Sequence, residues 1–393
     1  MKAALRILVA HQVRSARTGG MSRIMGFIHD RLAAAGHQVD YFCADDVPPA
    51  WQGSIGRRFG FPLLVTMAAA DAARRGLAYD IINVHEPHAL PLTFHRAAAG
   101  FPAIVVTSHG LERRAWMLAK EEARLGRRHL RAKTRLTYPL TSLWPASWGL
   151  RRADHIFCLS RDDRDYLVRW LRRSDDTITR VYPGAGLEYL NEARTYDTVD
   201  RILFAAAWRD DKGIADLVPA FVRLAAQHHA LKLQVVGAGV PDSVVRGSFP
   251  AALQSRIVCL NPANEADMAA AFADAHLFLL PSLFEGTPLT LMQAMMSGLP
   301  VVTTSTCGMK DVIAHGESGL LVPIRSPDAI VEAVERLLSD RPLRERLGRA
   351  ARERALAHYT WDKVAQPVEH AYLRLAQSRQ VRKDPPYEYE SQT

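Results

Sequence analysis

The chain has 393 residues, is 48% hydrophobic and 23% charged, and carries a formal net charge of +9 at pH 7. This length allows two or three domains with substantial cores, and the ordinary hydrophobic content excludes a wholly disordered protein. No run of 18 apolar residues is present, and the opening apolar run is short and followed by polar His11, which predicts a first strand rather than a signal peptide or a membrane span.

The four cysteines lie far apart in the sequence, at Cys43, Cys158, Cys259 and Cys307. Three of them fall in or beside apolar, strand-like runs. This placement favours reduced thiols in a core over a disulfide framework. It predicts a reducing compartment, and we expect a cytoplasmic protein.

Apolar runs of strand length recur along the chain, with helical patterns between them. The runs are continuous rather than alternating, which is typical of parallel strands that helices cover on both faces. The sequence therefore predicts an α/β protein with two doubly wound, Rossmann-like domains. The predicted strands are 5–10, 39–43, 81–84, 103–107 and 156–159 in the first domain, and 202–206, 231–236, 257–259, 277–280 and 300–304 in the second.

The domain boundary is predicted in the polar stretch 191–200, which follows a turn-rich YPGAG sequence. We expect a first domain over 1–190, a second over 200–360 and a last helix over 361–379. Residues 380–393 are polar and lack periodicity, which favours a disordered tail. Because open parallel sheets bind ligands at the carboxyl ends of their strands, the site is expected in the cleft between the two domains.

Gly19 and Gly20 come between the first predicted strand and a helix with Ile24, Ile28 and Leu32 on one face. Glycine lets backbone approach a ligand closely, and a helix start favours negative charge. The pair indicates an anion-binding loop, although any tight turn can also use two glycines.

Histidines follow two strands of the first domain. His109 lies where an apolar strand ends, and an imidazole there can hydrogen-bond a sugar or a developing charge. The HEPH sequence at 85–88 has a spacing that a metal site can use, but Pro87 disfavours one regular helix presenting both imidazoles. We expect no metal there and interpret the segment as part of an acceptor loop.

Segment 113–135 is strongly basic. Between Glu112 and Arg135 there are nine Arg or Lys and three Glu, a net charge of +6. Helical spacing places Leu118, Leu125 and Leu136 roughly on one side, a pattern typical of a helix on an anionic membrane surface. It is equally typical of a solvated helix with core-facing leucines, so both interpretations stay open. Nucleic-acid binding is not expected, because no RNA- or DNA-binding motif accompanies the charge.

The first strand of the second domain leads into the sequence WRDDKG at 208–213. Arg209 and Lys212 at a strand's carboxyl end are suited to balancing the charge of a diphosphate, with a solvated charged loop as the alternative. Further on, Gly237 and Gly239 suggest a dinucleotide-binding turn. The third glycine of that fingerprint is Asp242 here, which disfavours an NAD-dependent oxidoreductase.

The sequence PSLFEGTPLTLMQAMMSGLPVV, at 281–302, is the most informative stretch of the chain. Glu285 follows an apolar strand, and the next turn leads into a helix that starts near Thr287 with backbone N–H groups free to face an anion. Gln293 lies about two turns along this helix. One site can thus accept hydrogen bonds from hydroxyls and donate them to phosphate, and a sugar nucleotide carries both groups.

This stretch resembles the signature of retaining glycosyltransferases of family 4, which have the two-domain GT-B fold. The signature is a Glu, seven residues and a second Glu, followed by Ala-Met and Gly-x-Pro-Val-Val. Gln293 replaces the second Glu. The matching residues are Glu285, Ala294, Met295, Gly298, Pro300, Val301 and Val302. The resemblance extends over nearly the whole chain and is most specific between 201 and 323.

The resemblance implies that Glu285 contacts hydroxyls of the transferred sugar and that position 293 holds the ribose, where an amide binds less strongly than a carboxylate. Lys212 matches a Lys-Gly pair of the family, but the family's arginine five residues earlier is Ala207 here, and Arg209 is the nearest arginine. The implied catalytic residues are Lys212, Glu285, His109 and Arg209, and the implied donor-binding residues are Gly19, Gly20, Gly286, Thr287, Pro288, Leu289 and Gln293.

The resemblance therefore predicts a GT-B, retaining, metal-independent glycosyltransferase with an interdomain cleft and no cofactor. Its substrates are a nucleotide-diphosphate sugar and a glycan or lipid-linked saccharide acceptor. The alternative is a degenerate relative that binds nucleotide or glycan without transfer, motivated by Gln293 and Ala207. The family also packs its last helix back on the first domain. If segment 113–135 lies on lipid, the enzyme is peripheral at the inner face of the membrane. Base, sugar, acceptor, linkage and oligomeric state do not follow from the sequence.

Overall fold

The structure is a computed structural model that describes residues 4–12, 20–53, 56–96 and 101–383. It confirms the predicted α/β architecture of two parallel sheets flanked by helices, and each sheet has six strands where five were predicted. In the described part of the chain all four cysteines are free thiols. None of the described helices is both long enough and apolar enough to cross a membrane.

The first sheet has the order β2-β1-β3-β4-β5-β6, and every pairing in it is parallel. Its strands are β1 (Arg6–Ala10), β2 (Gln38–Phe42), β3 (Ile81–His85), β4 (Ala103–Thr107), β5 (His155–Cys158) and β6 (Ile178–Arg180). β3, β4 and β5 are buried along their whole length, which explains their continuous apolar sequences. β6 was not predicted, because three residues are too few to show a period.

Seven helices in the described part of the first domain connect or cover these strands. They are α1 (Gly20–Ala34), α2 (Phe61–Arg74), α3 (Leu90–Thr93), α4 (Glu112–Arg124), α5 (Ala132–Tyr138), α6 (Trp144–Arg152) and α7 (Arg161–Arg169). A short π-helical turn, Pro139–Leu143, joins α5 directly to α6.

The second sheet has the order β12-β11-β10-β7-β8-β9, again fully parallel. Its strands are β7 (Arg201–Ala205), β8 (Lys232–Val236), β9 (Ile257–Leu260), β10 (Leu277–Leu280), β11 (Val301–Thr304) and β12 (Leu320–Val322). The chain leaves β7 in one direction across the sheet and returns beside it at β10. The crevice outside the carboxyl ends of β7 and β10 is therefore the switch point at which such sheets bind ligands.

Eight helices follow between residues 214 and 383, where the description of the chain ends. They are α8 (Ile214–Gln227), α9 (Asp242–Gly247), α10 (Glu265–Asp274), α11 (Leu289–Met296), α12 (Met309–Val312), α13 (Pro327–Ser339), α14 (Arg341–His358) and α15 (Trp361–Lys383). Asp340 separates α13 from α14 and caps α14 by accepting a hydrogen bond from the Leu343 N–H at 2.9 Å.

The last helix packs on the first domain. Residues of α15, among them Trp361 and Tyr372, share one buried cluster with β1 and α1. The Trp361 ring stacks on Phe27 with centroids 4.7 Å apart, and the Asn83 side-chain amide donates to the Tyr372 hydroxyl at 2.6 Å. α15 runs beyond residue 379 to Lys383, and residues 384–393 of the predicted tail lie outside the described residues.

Ion pairs connect the two domains across the cleft. Arg127 of the first domain contacts Asp216 of the second at 2.7 Å, and Asp216 is 1% exposed. Glu122 of the first domain contacts Arg325 at 2.6 Å. Because buried charges are costly unless paired, these contacts fix how closely the facing strand ends approach each other.

Candidate functional site

Lys212 and Glu285 meet at the switch point of the second sheet. Lys212 follows β7 and Glu285 follows β10, which lie side by side. The Lys212 ammonium is 2.6 Å from Glu285 Oε1, and the side chains are 13% and 15% exposed. Ser282 Oγ donates to the same carboxylate oxygen at 3.1 Å. The sequence thus identified two residues, 73 positions apart, that share one partly buried site.

Close backbone packing fixes this pair. Gly213 ends the short 3₁₀ turn of Lys212 with φ of 75°, a left-handed conformation that favours glycine. A Cβ at Gly213 would lie 1.9 Å from the Pro281 carbonyl oxygen. The Leu283 N–H also donates to the Asp211 carbonyl at 2.9 Å. The β7 and β10 loops are therefore held together by backbone, independently of the ion pair.

Arg209 lies at the edge of this site. Its guanidinium contacts Asp211 at 2.7 Å, and its side chain is 62% exposed. Lys212 is also 3.4 Å from Asp211. Burial alone would raise the pKa of Asp211, but the hydrogen bond from Arg209 and the charge of Lys212 outweigh it and lower that pKa. Two cations and two carboxylates thus balance one another in the absence of a ligand.

The turn after Glu285 packs against the first domain. A Cβ at Gly286 would lie 2.6 Å from the His109 carbonyl oxygen, so only glycine fits. The Thr287 hydroxyl donates to the Leu159 carbonyl. Pro288 is the N-cap of α11, one residue later than predicted, and the Leu289 side chain joins the buried cluster of the first domain. The start of α11 therefore sits where the domains touch.

His109 faces this turn from the first domain. Its ring lies 4.9 Å from that of His85, centroid to centroid. Burial, aided by the charge of His11, lowers the pKa of His109 to about 4, so the imidazole is neutral near pH 7. Its Nε2 atom is buried without a hydrogen-bond partner among the described residues. A buried ring nitrogen without a partner can bond a ligand hydroxyl once the atoms that cover it move.

Glu86, within the HEPH sequence, carries a strongly perturbed carboxyl group. Ser108 Oγ donates to it at 2.6 Å and the Glu112 N–H at 3.3 Å. Burial of the carboxyl group, together with the nearby charge of Glu112, raises the pKa of Glu86 to about 8. Glu86 therefore holds a proton near neutral pH. No group of three or more His, Cys, Asp or Glu within the described ranges is arranged to hold a metal ion.

Gln293 lies in a buried network rather than on the open wall of the cleft. It is 1% exposed, and its side-chain N–H donates to the Tyr189 hydroxyl at 2.8 Å. Tyr189 in turn donates to Glu265 at 2.6 Å, and Glu265 pairs with Arg23 of α1. The Gln293 carbonyl oxygen is buried without a partner among the described residues. A ribose can reach it only after neighbouring side chains move.

The glycine loop is described only in part. Gly19 lies outside the described residues, whereas Gly20 is the first residue of α1. A Cβ at Gly20 would meet no described atom within 4 Å. Packing of the described protein therefore does not require glycine at this position.

The prediction of one basic, amphipathic helix through 113–135 is wrong. α4 ends at Arg124, and Gly126 follows with φ of 71°, which turns the chain away. Leu136 belongs to α5, so it does not continue the side that carries Leu118. Leu118 lines the cleft. Periodicity across 113–135 could not reveal this break.

A cavity of about 650 Å³ lies between the domains beside the Lys212 loop, within the usual size range of small-ligand sites. It is lined by Glu112, Ala115, Leu118, Arg128 and Tyr138 of the first domain and by Trp208, Arg209, Asp210, Asp211 and Phe284 of the second. Sequence reasoning missed most of these residues, because α4 carries no recognisable motif and lies far from the β7 loop in sequence.

The fold and the paired residues at facing strand ends define a class, the GT-B glycosyltransferases. Sucrose-phosphate synthase from Thermosynechococcus elongatus has a similar structure, with a TM-score of 0.76, 22% identity and coverage of 95% of this chain and 100% of that chain. HepE from Anabaena, in complex with UDP and glucose, has a TM-score of 0.67, 16% identity and coverage of 93% and 99%. At these identities the likeness shows the fold.

The family follows from the sequence comparison. Residues 188–354 match Glycosyl transferases group 1, and residues 18–189 match Glycosyltransferase Family 4. The chain belongs to the glycosyltransferases that these two models describe, and the two matches together cover residues 18–354.

Similar curated proteins are also named as glycosyltransferases. A phosphatidyl-myo-inositol mannosyltransferase from Mycobacterium leprae is 26% identical over 343 residues, covering 84% of this chain and 83% of the relative. An uncharacterised glycosyltransferase from Methanocaldococcus jannaschii is 29% identical over 177 residues. In that second comparison the chain spans 45% of the relative, and it spans about half the length of several other relatives.

Proposed function

We propose that the protein is a retaining, metal-independent glycosyltransferase that moves a sugar from a nucleotide-diphosphate sugar to a hydroxyl of a glycan or lipid-linked saccharide. The observation that carries this proposal is the contact of 2.6 Å between Lys212 and Glu285 at the switch point, inside the cleft between two Rossmann-like domains. It places a cation for phosphate and a carboxylate for sugar hydroxyls side by side.

The departing diphosphate gains charge as the anomeric bond breaks. Lys212 is partly buried, so its ammonium is screened less by water than an exposed lysine and can stabilise that charge. It now pairs with Glu285. When a donor enters, its phosphate oxygens replace Glu285 as the partner of the ammonium. Its sugar hydroxyls replace Lys212 as the partner of the carboxylate. The resting ion pair keeps both groups in position without a ligand.

The transferred sugar lies, in this proposal, between Glu285 and His109. Glu285 accepts hydrogen bonds from its hydroxyls. The orphaned Nε2 of neutral His109 supplies a further partner from the opposite domain. A sugar bridging the two residues would be held by both domains, which favours the closed arrangement and excludes water that otherwise hydrolyses the donor.

The acceptor enters, in this proposal, through the 650 Å³ cavity. Its lining combines the aromatic rings of Tyr138 and Trp208 with the charged groups of Glu112 and Arg128, a mixture suited to a saccharide with apolar faces and many hydroxyls. The cavity also borders Arg209 and Asp211, next to Lys212. An acceptor hydroxyl there can approach the donor from the side of the leaving diphosphate.

Retention follows, in this proposal, from attack on the face that the diphosphate leaves, with a phosphate oxygen taking the acceptor's proton. Lys212 supplies the positive charge that a metal ion supplies in other transferases. HepE was solved with UDP and glucose, and the mannosyltransferase relative is named for a phosphatidyl-inositol acceptor. These relatives support a nucleotide-sugar donor and make a lipid-linked acceptor a reasonable first choice. We place the enzyme at the cytoplasmic face of a membrane.

The test is a donor screen. The purified chain is incubated with UDP- and GDP-sugars and a panel of glycan and lipid-linked saccharide acceptors, with and without EDTA, and released UDP or GDP is measured. We expect release with one donor, unaffected by EDTA, and an α-linked product from an α-linked donor by NMR. Glu285→Gln should abolish release while Glu332→Gln, an exposed residue of α13, should not. Wild-type release by Glu285→Gln would refute the site.

The second candidate is a relative that binds nucleotide or glycan without transfer. Burial of Gln293 behind Tyr189 favours it, because the ribose position is closed in this structure. The same screen separates the two candidates. Saturable donor binding by calorimetry, with no release of nucleotide under any condition, would support the binding protein.

A further inference from the structure

One helical surface of the first domain is apolar and exposed. Its side chains recur in steps of four residues along α5, the π-helical turn and α6. Leu136, Leu140, Trp144 and Trp148 are 72%, 69%, 54% and 40% exposed. We call these four residues the apolar stripe. Single exposed apolar residues are common, but a contiguous stripe of four with two tryptophans indicates a binding surface.

The stripe faces away from the protein. Another side of the same helical segment carries the buried residues Leu143, Ala146 and Leu150. Gly149 packs so closely on α3 that an added Cβ would lie 3.0 Å from that of Ala89. The segment is thus firmly seated by one face. The stripe cannot turn inward without breaking that packing.

The surroundings of the stripe are basic. Residues 123–153 contain eight Arg or Lys and no Asp or Glu, although acidic residues make up 41 of 393 in the whole chain. Arg131, Lys133, Arg135 and Arg151 are exposed. The Arg151 guanidinium lies 5.9 Å from the centre of the Trp148 ring. Positive charge beside the stripe favours a partner with a negative surface.

The two indoles favour lipid over protein as that partner. Tryptophan prefers the boundary between apolar chains and polar headgroups, and basic residues beside it attract anionic lipid. A helix that combines an apolar side, tryptophans and an acid-free basic flank is typical of segments that lie in a membrane interface. We propose that the apolar stripe docks the protein on an anionic lipid bilayer.

Docking would also position the cleft. Tyr138 lies between Leu136 and Leu140 in sequence and lines the 650 Å³ cavity. The helical segment that carries the stripe therefore also lines the proposed acceptor pocket. This use of the surface rests on the proposed function, whereas the docking itself does not. A lipid-linked acceptor could then reach the cavity while its lipid stays in the membrane.

The experiment is co-sedimentation of the full chain with vesicles of phosphatidylcholine alone or mixed with phosphatidylglycerol. We expect binding to the anionic vesicles, at least about tenfold stronger than to neutral ones and weakened by salt. Leu136→Ser/Leu140→Ser/Trp144→Ser should reduce that binding by about tenfold or more. Lys133→Glu/Arg135→Glu should remove the preference for phosphatidylglycerol.

The matched controls are Trp170→Ser and Val244→Ser, since Trp170 and Val244 are 69% and 50% exposed but lie outside the stripe. They should bind vesicles like the wild type. Circular dichroism and the melting temperature verify folding of each variant. Absence of wild-type binding, or equal binding by the stripe variant, would overturn the proposal. The proposal would also be overturned if light scattering showed a dimer for the wild type and a monomer for the stripe variant, because the surface would then be a protein interface. Donor binding by the stripe variant should be unchanged, which separates this proposal from the proposed reaction.

Discussion

The two walls of the cleft differ in how they carry charge. On the second domain, Lys212 with Glu285 and Arg209 with Asp211 are ionised pairs at strand ends. On the first domain, burial pushes Glu86 and His109 towards their neutral forms, with pKa values of about 8 and about 4. Full charges suit a diphosphate, whereas neutral donors and acceptors suit hydroxyl groups. In the proposed function, the charged wall binds the donor's phosphates through Lys212 and its sugar hydroxyls through Glu285, and the neutral wall adds uncharged partners for hydroxyl groups.

The largest effect on activity is expected at the charged wall, the second-domain side of the cleft that carries the Lys212–Glu285 and Arg209–Asp211 pairs. Lys212→Ala removes the cation nearest the proposed diphosphate and leaves Glu285 without its ion partner. We expect kcat to fall by about 10²–10³, with the fold intact by circular dichroism. Lys232→Ala, at the exposed start of β8, is the control and should retain wild-type kcat. Equal activity of the two variants would remove the assignment of phosphate to this wall.

We expect stability to depend on pH through the neutral wall, the first-domain side of the cleft that carries Glu86 and His109. Folding raises the pKa of Glu86 to about 8, so the folded state keeps a proton that the unfolded state releases at lower pH. The free energy of unfolding of the wild type should therefore fall as pH rises from 5 to 8, by up to about 1.4 kcal/mol per pH unit from this group. Glu86→Gln cannot ionise and should escape this loss.

Urea unfolding of wild type and Glu86→Gln at each pH from 5 to 8 measures this difference. The stability of the variant relative to wild type should rise with pH and level off above about pH 8. Glu332→Gln, on the exposed face of α13, provides the control and should show a constant difference. A constant difference for Glu86→Gln as well would mean that Glu86 is ionised throughout, and the contrast between the two walls would fail.

A smaller effect, on the free energy of unfolding, is expected at Tyr189, in the network that joins the two domains. Tyr189→Phe removes the hydroxyl between Gln293 and Glu265 and leaves the buried Gln293 N–H without its acceptor. We expect a loss of about 1–3 kcal/mol in the free energy of unfolding. Tyr182→Phe is the control, since the Tyr182 hydroxyl accepts from half-buried Arg180. An unchanged urea midpoint for Tyr189→Phe would show that the network contributes no stability.

The smallest effect is expected at the rim of the charged wall. Arg209 is 62% exposed and already paired with Asp211, so its charge is screened by water. Arg209→Ala should lower kcat/KM less than about tenfold. If the loss matched that of Lys212→Ala in the same steady-state assay, Arg209 would be the main phosphate ligand, and the order of the two cations would be reversed.

Much of the charged wall could be predicted from sequence. Continuous apolar runs predicted the strands, and open parallel sheets bind ligands at strand ends. The family resemblance then implied that Lys212 and Glu285 belong to one site, and the structure shows that their strands are neighbours. β6 could not be found in this way, because a strand of three residues carries no period. The basic segment misled because Gly126 breaks it, and a helical wheel assumes that the helix continues.

The neutral wall could not be predicted in the same way. The raised pKa of Glu86 depends on burial of its carboxyl group and on the charge of Glu112, which follows a different strand. The partner of Gln293 comes from the linker between the domains, at Tyr189. Nothing in the local sequence around either residue specifies these neighbours, because burial and desolvation arise only when distant segments pack together.

The most direct test is a comparison of nucleotide binding by calorimetry, with the nucleoside diphosphate alone and with its sugar derivative. Lys212→Ala should weaken both ligands, because both carry the diphosphate. Glu285→Gln should weaken the sugar nucleotide and leave the nucleoside diphosphate unchanged. If both variants bound both ligands with wild-type affinity, the carboxylate and the ammonium at the switch point would not hold the donor, and the proposed site would be wrong.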